Sequence, residues 1–137
     1  MRSAEQRWKG RLCAYIGYNE NLAHLFYAGS DFYLMPSRFE PCGLSQMIAM
    51  RYGSIPIVRE TGGLRDTVRP YNRYSGEGTG FSFANYDAGE LRDAVYRALE
   101  CWSSDEIMNG LVQSAMAEDF GFARSAEEYA NTYLWML

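Results

Sequence analysis

The chain has 137 residues, 47% of them hydrophobic and 15% aromatic, enough apolar material for about one packed domain. Its 17 acidic against 13 basic residues leave a formal charge of −4, a poor balance for a nucleic-acid surface. Three widely spaced cysteines, Cys13, Cys42 and Cys101, suggest neither a disulfide framework nor a paired-cysteine metal site, and the single His24 leaves no partner for a multi-histidine zinc cluster. Met1 to Gly10 is polar and charged, with no secretory leader, and no apolar run approaches the roughly 20 residues of a membrane span. The expectation is a cytoplasmic protein with no metal and no cofactor.

Strand and helix signals alternate along the chain. Leu12 to Ile16 reads as a strand, Glu20 to Ala28 as a helix, and Asp31 to Pro36 as a nearly unbroken apolar run expected of a parallel strand buried on both faces. Leu44 to Tyr52 is a helix-length run ended by Gly53. Ile55 to Val58 follows as a strand, where Pro56 requires an edge, a strand start or some accommodation of its missing N–H. Such a series implies a parallel α/β sheet with right-handed crossovers. Arg69 to Gly80 is rich in turn formers and reads as a loop, and Phe81 to Phe83 as a short final strand.

From Asp87 the pattern is helical. Leu91, Ala94, Val95, Ala98 and Leu99 form one stripe, and Ser103 to Glu106 opens a second helix with Ile107, Leu111, Ala115 and Met116 on its buried face. A last helix runs from about Arg124, where Tyr129, Tyr133, Trp135 and Met136 are expected to pack against a neighbour. No repeat or second domain is visible.

Chemistry concentrates in the turn Ser37 to Gln46, which holds one carboxylate, Glu40, between a strand's carboxyl end and a helix start. Open α/β sheets bind ligands there. The first N–H groups of the helix, at Gly43, Leu44 and Ser45, lack intrahelical partners and suit an anion. Simple helix capping by Glu40 and Ser45 is an equally direct reading of the same residues. A second loop, Arg59 to Leu64, also leaves a strand's carboxyl end, and its pair Gly62-Gly63 permits positive φ or a close approach to a ligand. His24 reads as a helix or surface histidine without a catalytic task.

Tyr15 to Glu20, the Ser37 to Gln46 turn, Tyr52 to Leu64 and Asp66-Thr67-Val68 together resemble the bacterial glycogen synthase family, and the string Arg38-Phe39-Glu40-Pro41-Cys42-Gly43-Leu44 is its most specific part. The resemblance implies a glycosyltransferase with two Rossmann-like domains, the GT-B fold, of which residues 1–137 would be an incomplete carboxyl-terminal domain with closing helices from about residue 87. It implies transfer of glucose from ADP-glucose to the non-reducing end of an α-1,4-glucan, with retention at the anomeric carbon. By the same resemblance Glu40 is the catalytic glutamate at the donor glucose. Cys42, Gly43 and Leu44 line the glucose pocket, Ser45 meets the donor phosphate, Tyr18 stacks on the base, and Thr61, Gly62 and Gly63 close round the donor.

One position departs from related retaining transferases: where they carry a second glutamate, eight residues on, this chain has Ile48. Double displacement needs a carboxylate nucleophile, so the resemblance implies a front-face route in which the leaving phosphate assists the acceptor hydroxyl. It also places the acceptor domain and the basic groups that clamp the diphosphate upstream of Met1, so the chain alone is expected to be inactive and to bind ADP-glucose weakly. In a sheet ordered 3-2-1-4-5-6, Leu12 to Ile16 would be the third strand and Asp31 to Pro36 the fourth. With the first and second absent, the fourth would expose an apolar edge through which copies self-associate. The rival readings are a UDP-glucose transferase or epimerase of the same architecture, and a noncatalytic glucan- or nucleotide-binding module.

Overall fold

In the computed structural model, which describes residues 2–136, the polar start of the chain is a short helix, α1 (Arg2–Arg7). A turn in which Arg11 and Leu12 both donate to the Trp8 carbonyl ends it. Leu12 to Ile16, expected as a strand, is irregular and mostly exposed, with Ile16 72% accessible. A strand needs a neighbour to take its N–H and C=O groups, and among the described residues the sheet offers this segment none; Ala14 N–H donates instead to Glu5 Oε1 at 3.0 Å.

From Glu20 to Phe83 the expected helices and strands form. Asn19 caps α2 (Glu20–Gly29) by accepting from Leu22 N–H. β1 (Phe32–Met35) follows. It is an edge strand, half-buried rather than buried on both faces, and Leu34 is 47% exposed because nothing covers its outer side. α3 (Ser45–Arg51) ends at Gly53, whose φ of +82° is the left-handed turn a helix terminus uses.

β2 (Ile55–Arg59) is the middle of a three-stranded parallel sheet, with β1 on one side and β3 (Phe81–Phe83) on the other. Pro56 is therefore central. It is tolerated because Ile55 N–H donates to Asp31 of the β1 side, which turns the Pro56 nitrogen toward β3, and the ladder with β3 begins only at Ile57 opposite Phe81. Ile55 to Val58 is buried throughout, so both faces of β2 are covered.

A short helix, α4 (Gly63–Thr67), which the periodicity did not mark, precedes the loop to β3. α5 (Ala88–Trp102) is capped by Asp87 and α6 (Asp105–Met116) by Ser104. Glu90 in the first turn of α5 accepts from the backbone N–H and side-chain amide of Asn85 and from the N–H of Ala84, and these bonds hold its carboxyl below the usual range. The α5 stripe buries Ala94, Ala98 and Cys101, with Leu99 half exposed. On α6 the buried face is Met108, Leu111 and Ala115, one position round from the expected one, so that Ile107 and Met116 face outward.

These side chains close over Ile57, Val58, Phe81 and Phe83 with Met50 of α3 and Leu64 of α4. A fully buried side chain of the size of Phe81 contributes about 2–3 kcal/mol. The last helix, α7 (Phe122–Trp135), buries nothing: Tyr129, Tyr133, Trp135 and Met136 are all exposed, against the expectation that they pack on a neighbour.

Candidate functional site

β1 and β2 are parallel neighbours in the register Met35 to Val58, so the chain leaves both at the same end of the sheet. The turn 36–44 and the loop 60–62 therefore lie side by side. Their backbones interlock. A Cβ on Gly62 would fall 2.0 Å from the Glu40 carbonyl oxygen, and one on Gly63 1.9 Å from that of Cys42. Gly62 also has φ +46°, and Gly63 N–H donates to Pro41 O at 3.3 Å. The glycine pair thus serves a contact between two loops of the chain itself, one that no side chain could enter.

Two residues that the sequence did not single out hold the loops from below. Arg59, the last residue of β2, donates from Nη1 to the carbonyls of Arg38 (2.7 Å) and Ser37 (3.4 Å), and its guanidinium lies 5.9 Å from the Tyr86 ring centroid. A cation shared between two carbonyls and an aromatic face fixes the first half of the turn. Its Nε is enclosed without a partner. Gln46 is fully buried, and its Nε2 donates to Gly43 O (2.9 Å) and Thr67 Oγ1 (3.0 Å) while that hydroxyl donates to Gly63 O (2.6 Å). This chain of bonds joins the start of α3 to α4. Glu60 adds a tie to β3, accepting from Ser82 Oγ at 2.7 Å and donating its own N–H to Phe83 O. The signal available in the sequence was position alone: a basic residue ending a buried strand, and an amide inside a helix's first turn.

The predicted site residues fall into two groups. Glu40, Cys42, Gly43, Leu44, Ser45, Thr61, Gly62 and Gly63 are brought together by the interlock. Glu40, Gly43, Ser45 and Thr61 are half-buried, Cys42 and Leu44 are exposed, and Gly43 has φ +73°. Neither Glu40 nor Ser45 caps α3: its capping residue is Leu44, with no side-chain bond, and Ser45 Oγ donates instead to Met35 Sδ at 3.3 Å. The capping alternative is therefore not realised. α3 has only seven residues, so its dipole offers less to an anion than a long helix would.

Tyr18 forms the second group by itself: its ring is 92% exposed and packs against neither loop. His24 pairs its Nδ1 with the Tyr52 hydroxyl at 3.1 Å, away from the turn. Nearby, burial and then Tyr33 push the Tyr27 phenol up. Among the described residues no cluster of His, Cys, Asp and Glu is close enough to hold a metal, and no helix is long and apolar enough to cross a membrane.

Hollows flank the interlocked loops. One of about 450 Å³ is lined by Pro41, Cys42, Gly43, Gly63 and Asp66 together with the start of α7, and one of about 370 Å³ by Pro36, Phe83, Tyr86 and Leu91. Residues 2–113 match the sequence pattern of the glycosyl transferases group 1. The chain belongs to this family. Within the group 1 transferases it is 56% identical over 123 residues to the glycogen synthase of Exiguobacterium sibiricum, covering 90% of this chain and 26% of that protein. To the glycogen synthase of Desulforamulus reducens it is 52% identical over 136 residues, covering 99% and 28%.

The solved catalytic domain of starch synthase IV from Arabidopsis thaliana, bound to ADP and acarbose, superimposes with a TM-score of 0.83 at 40% identity, over 97% of this chain and 28% of that one. Sucrose-phosphate synthase from Thermosynechococcus elongatus, at 22% identity and a TM-score of 0.67 over 98% of this chain and 33% of its own, shares the fold. The parallel α/β arrangement is thus that of the GT-B transferases. The chain spans about a quarter of the length of the curated relatives it matches.

Proposed function

We propose that this chain supplies the donor side of a glycogen synthase, a carboxyl-terminal portion of a cytoplasmic enzyme that moves glucose from ADP-glucose to the non-reducing end of an α-1,4-glucan with retention. The supporting observation is the interlock of the two loops at the carboxyl ends of β1 and β2, which gathers Glu40, Gly43, Ser45 and the Thr61-Gly62-Gly63 loop at one place in a chain more than half identical to glycogen synthases.

In this reading Glu40 faces the donor sugar, where a fixed carboxylate stabilises positive charge developing at the anomeric carbon. Cys42, Gly43 and Leu44 line the sugar pocket, and Ser45 turns its hydroxyl from Met35 to the phosphate. Tyr18 covers the base. With Ile48 where a second carboxylate would stand, the acceptor hydroxyl is deprotonated by the departing phosphate on the same face. In this reading the isolated chain is inactive: Arg59, beneath the turn, is already bonded to the carbonyls of Ser37 and Arg38, and a diphosphate needs more cationic partners than the turn's own Arg38 supplies. Self-association through the uncovered edge of β1 belongs to the same proposal.

The test is a chimera in which this chain replaces the corresponding part of the Exiguobacterium sibiricum glycogen synthase, assayed for glucose incorporation from ADP-glucose and from UDP-glucose. Transfer from ADP-glucose is expected, with Glu40→Gln lowering kcat by about 10²–10³-fold. A folded chimera without transfer, or one that Glu40→Gln leaves unaffected, overturns the reading.

A further inference from the structure

Loop 69–80 enters β3 at its amino end, so it lies at the end of the sheet away from the turn of Glu40. It is built rather than loose. Tyr71 N–H donates to Gly80 O, Asn72 N–H to Glu77 O and Gly76 N–H to Asn72 O, while Asn72 Oδ1 accepts from the N–H groups of Tyr74 and Ser75. The tip so formed presents Arg73 and Tyr74. Tyr74 is 90% exposed, and the Arg73 guanidinium lies 5.5 Å from its ring centroid, which covers one face and leaves the other open.

Beneath the tip is a hollow of about 560 Å³, lined by Tyr71, Asn72, Arg73, Tyr74, Arg97 and Glu100, with Phe81 and Cys101 as its floor. Tyr71 packs on Phe81 at 6.0 Å between centroids, and Arg97 is anchored by donating to Ser82 O at 2.6 Å. Burial pushes the Cys101 thiol up, so the floor is uncharged.

The set has the chemistry of a site for a neutral polyhydroxyl chain. Open aromatic faces receive the C–H face of a sugar ring, and planar amide, guanidinium and carboxylate groups pair with its hydroxyls. Glu100 offsets part of the charge of Arg73 and Arg97, which suits an uncharged ligand better than a diphosphate. An exposed tyrosine with no packing role, held on a hydrogen-bonded loop over a hollow, also satisfies the general form of a pre-formed binding site.

We infer that the hollow under loop 69–80 binds α-glucan, as a second saccharide site at the far end of the sheet from Glu40. The identity of the sugar rests on the proposed function; the site itself does not. It would hold the polymer while chain ends are extended elsewhere.

The experiment is a titration of the ¹⁵N-labelled 137-residue chain with maltoheptaose, followed amide by amide. The expected result is saturable shifts at residues 72–74 and 97–101, with affinity weakened at least about tenfold by Tyr74→Ala and unchanged by Glu40→Gln. Tyr74 is exposed enough for its replacement to leave the fold intact, which the rest of the spectrum reports. Shifts confined to residues 37–46, shifts abolished by Glu40→Gln, or no shifts at all overturn the inference. So does ADP alone moving the same amides, which marks a phosphate site, or movement with protein concentration in the absence of sugar, which marks a contact between copies. An active chimera together with an unresponsive hollow would sink this inference while leaving the proposed function standing.

Discussion

The interlocked loops and helix α7 are both prominent in the sequence, the first by its glycines and lone carboxylate, the second by its aromatics, yet they are held in contrasting ways. The loops rest on β2, whose residues 55–58 are fully covered, and touch each other backbone to backbone. Helix α7 carries no buried residue, and its bonds are mostly internal: Arg124 to Glu128 at 3.3 Å, Thr132 Oγ1 to Glu128 O at 2.9 Å, and Tyr129 stacked on Tyr133. Small residues can be the most constrained in a chain and large aromatic ones the least. What decides is the room left by neighbours.

The sharpest way to break this contrast is to add one methyl group to the loops. Gly63→Ala places a Cβ against the Cys42 carbonyl, where backbone cannot give way as a flexible side chain would, and the loops must separate. A loss of about 3 kcal/mol is expected, read from the urea midpoint. An alanine variant within about 0.5 kcal/mol of the parent would show that the interlock is not tight.

A smaller effect is expected at Arg59. Replacing it with leucine keeps much of the stem's packing but strips two carbonyls of the turn of their donor. The cost is about 1–3 kcal/mol, and the local signature is faster hydrogen exchange across residues 37–46. Equal exchange in both proteins would assign the order of the turn to the glycine contact alone.

These two predictions also mark where sequence reading stopped. The strands at Phe32 and Ile55, the helix start at Ser103 to Glu106 and the stop at Gly53 are local signals, each visible in a few adjacent residues, and each appears in the structure. Leu12 to Ile16 carries an equally good strand pattern and forms none, because pairing depends on a neighbour the segment itself does not specify. Gly62 and Gly63 were legible as a place needing freedom. That their freedom is used on the backbone of Glu40 and Cys42, more than twenty residues away, was not, since only the parallel register of β1 and β2 creates the contact. Arg59 and Gln46 were missed for the same reason: each acts on a carbonyl or hydroxyl that the fold brings to it. The outward turn of Ile107 reflects a stripe set by Met108 rather than by the first apolar residue after the cap.

The smallest effect belongs to α7. Tyr129 and Tyr133 are 66% and 64% exposed, so the double change to serine removes little that is buried in the folded chain. Surface substitutions of this kind shift stability by about 0.5 kcal/mol or less, and the stacked pair lost from the helix is worth a similar amount. A fourteen-residue helix without tertiary cover is itself marginal in water. What is secured is its approach: Arg51 Nη1 donates to Met116 O at 3.0 Å, and Arg69 pairs with Glu118 just before the helix begins. Amide exchange should therefore slow sharply on passing backward from Phe122 to Met116, and the serine variant should leave the urea midpoint in place. A midpoint lowered by the two serines would mean that this aromatic face is covered in solution, and the contrast between fixed loops and free helix would then fail on the side of the helix.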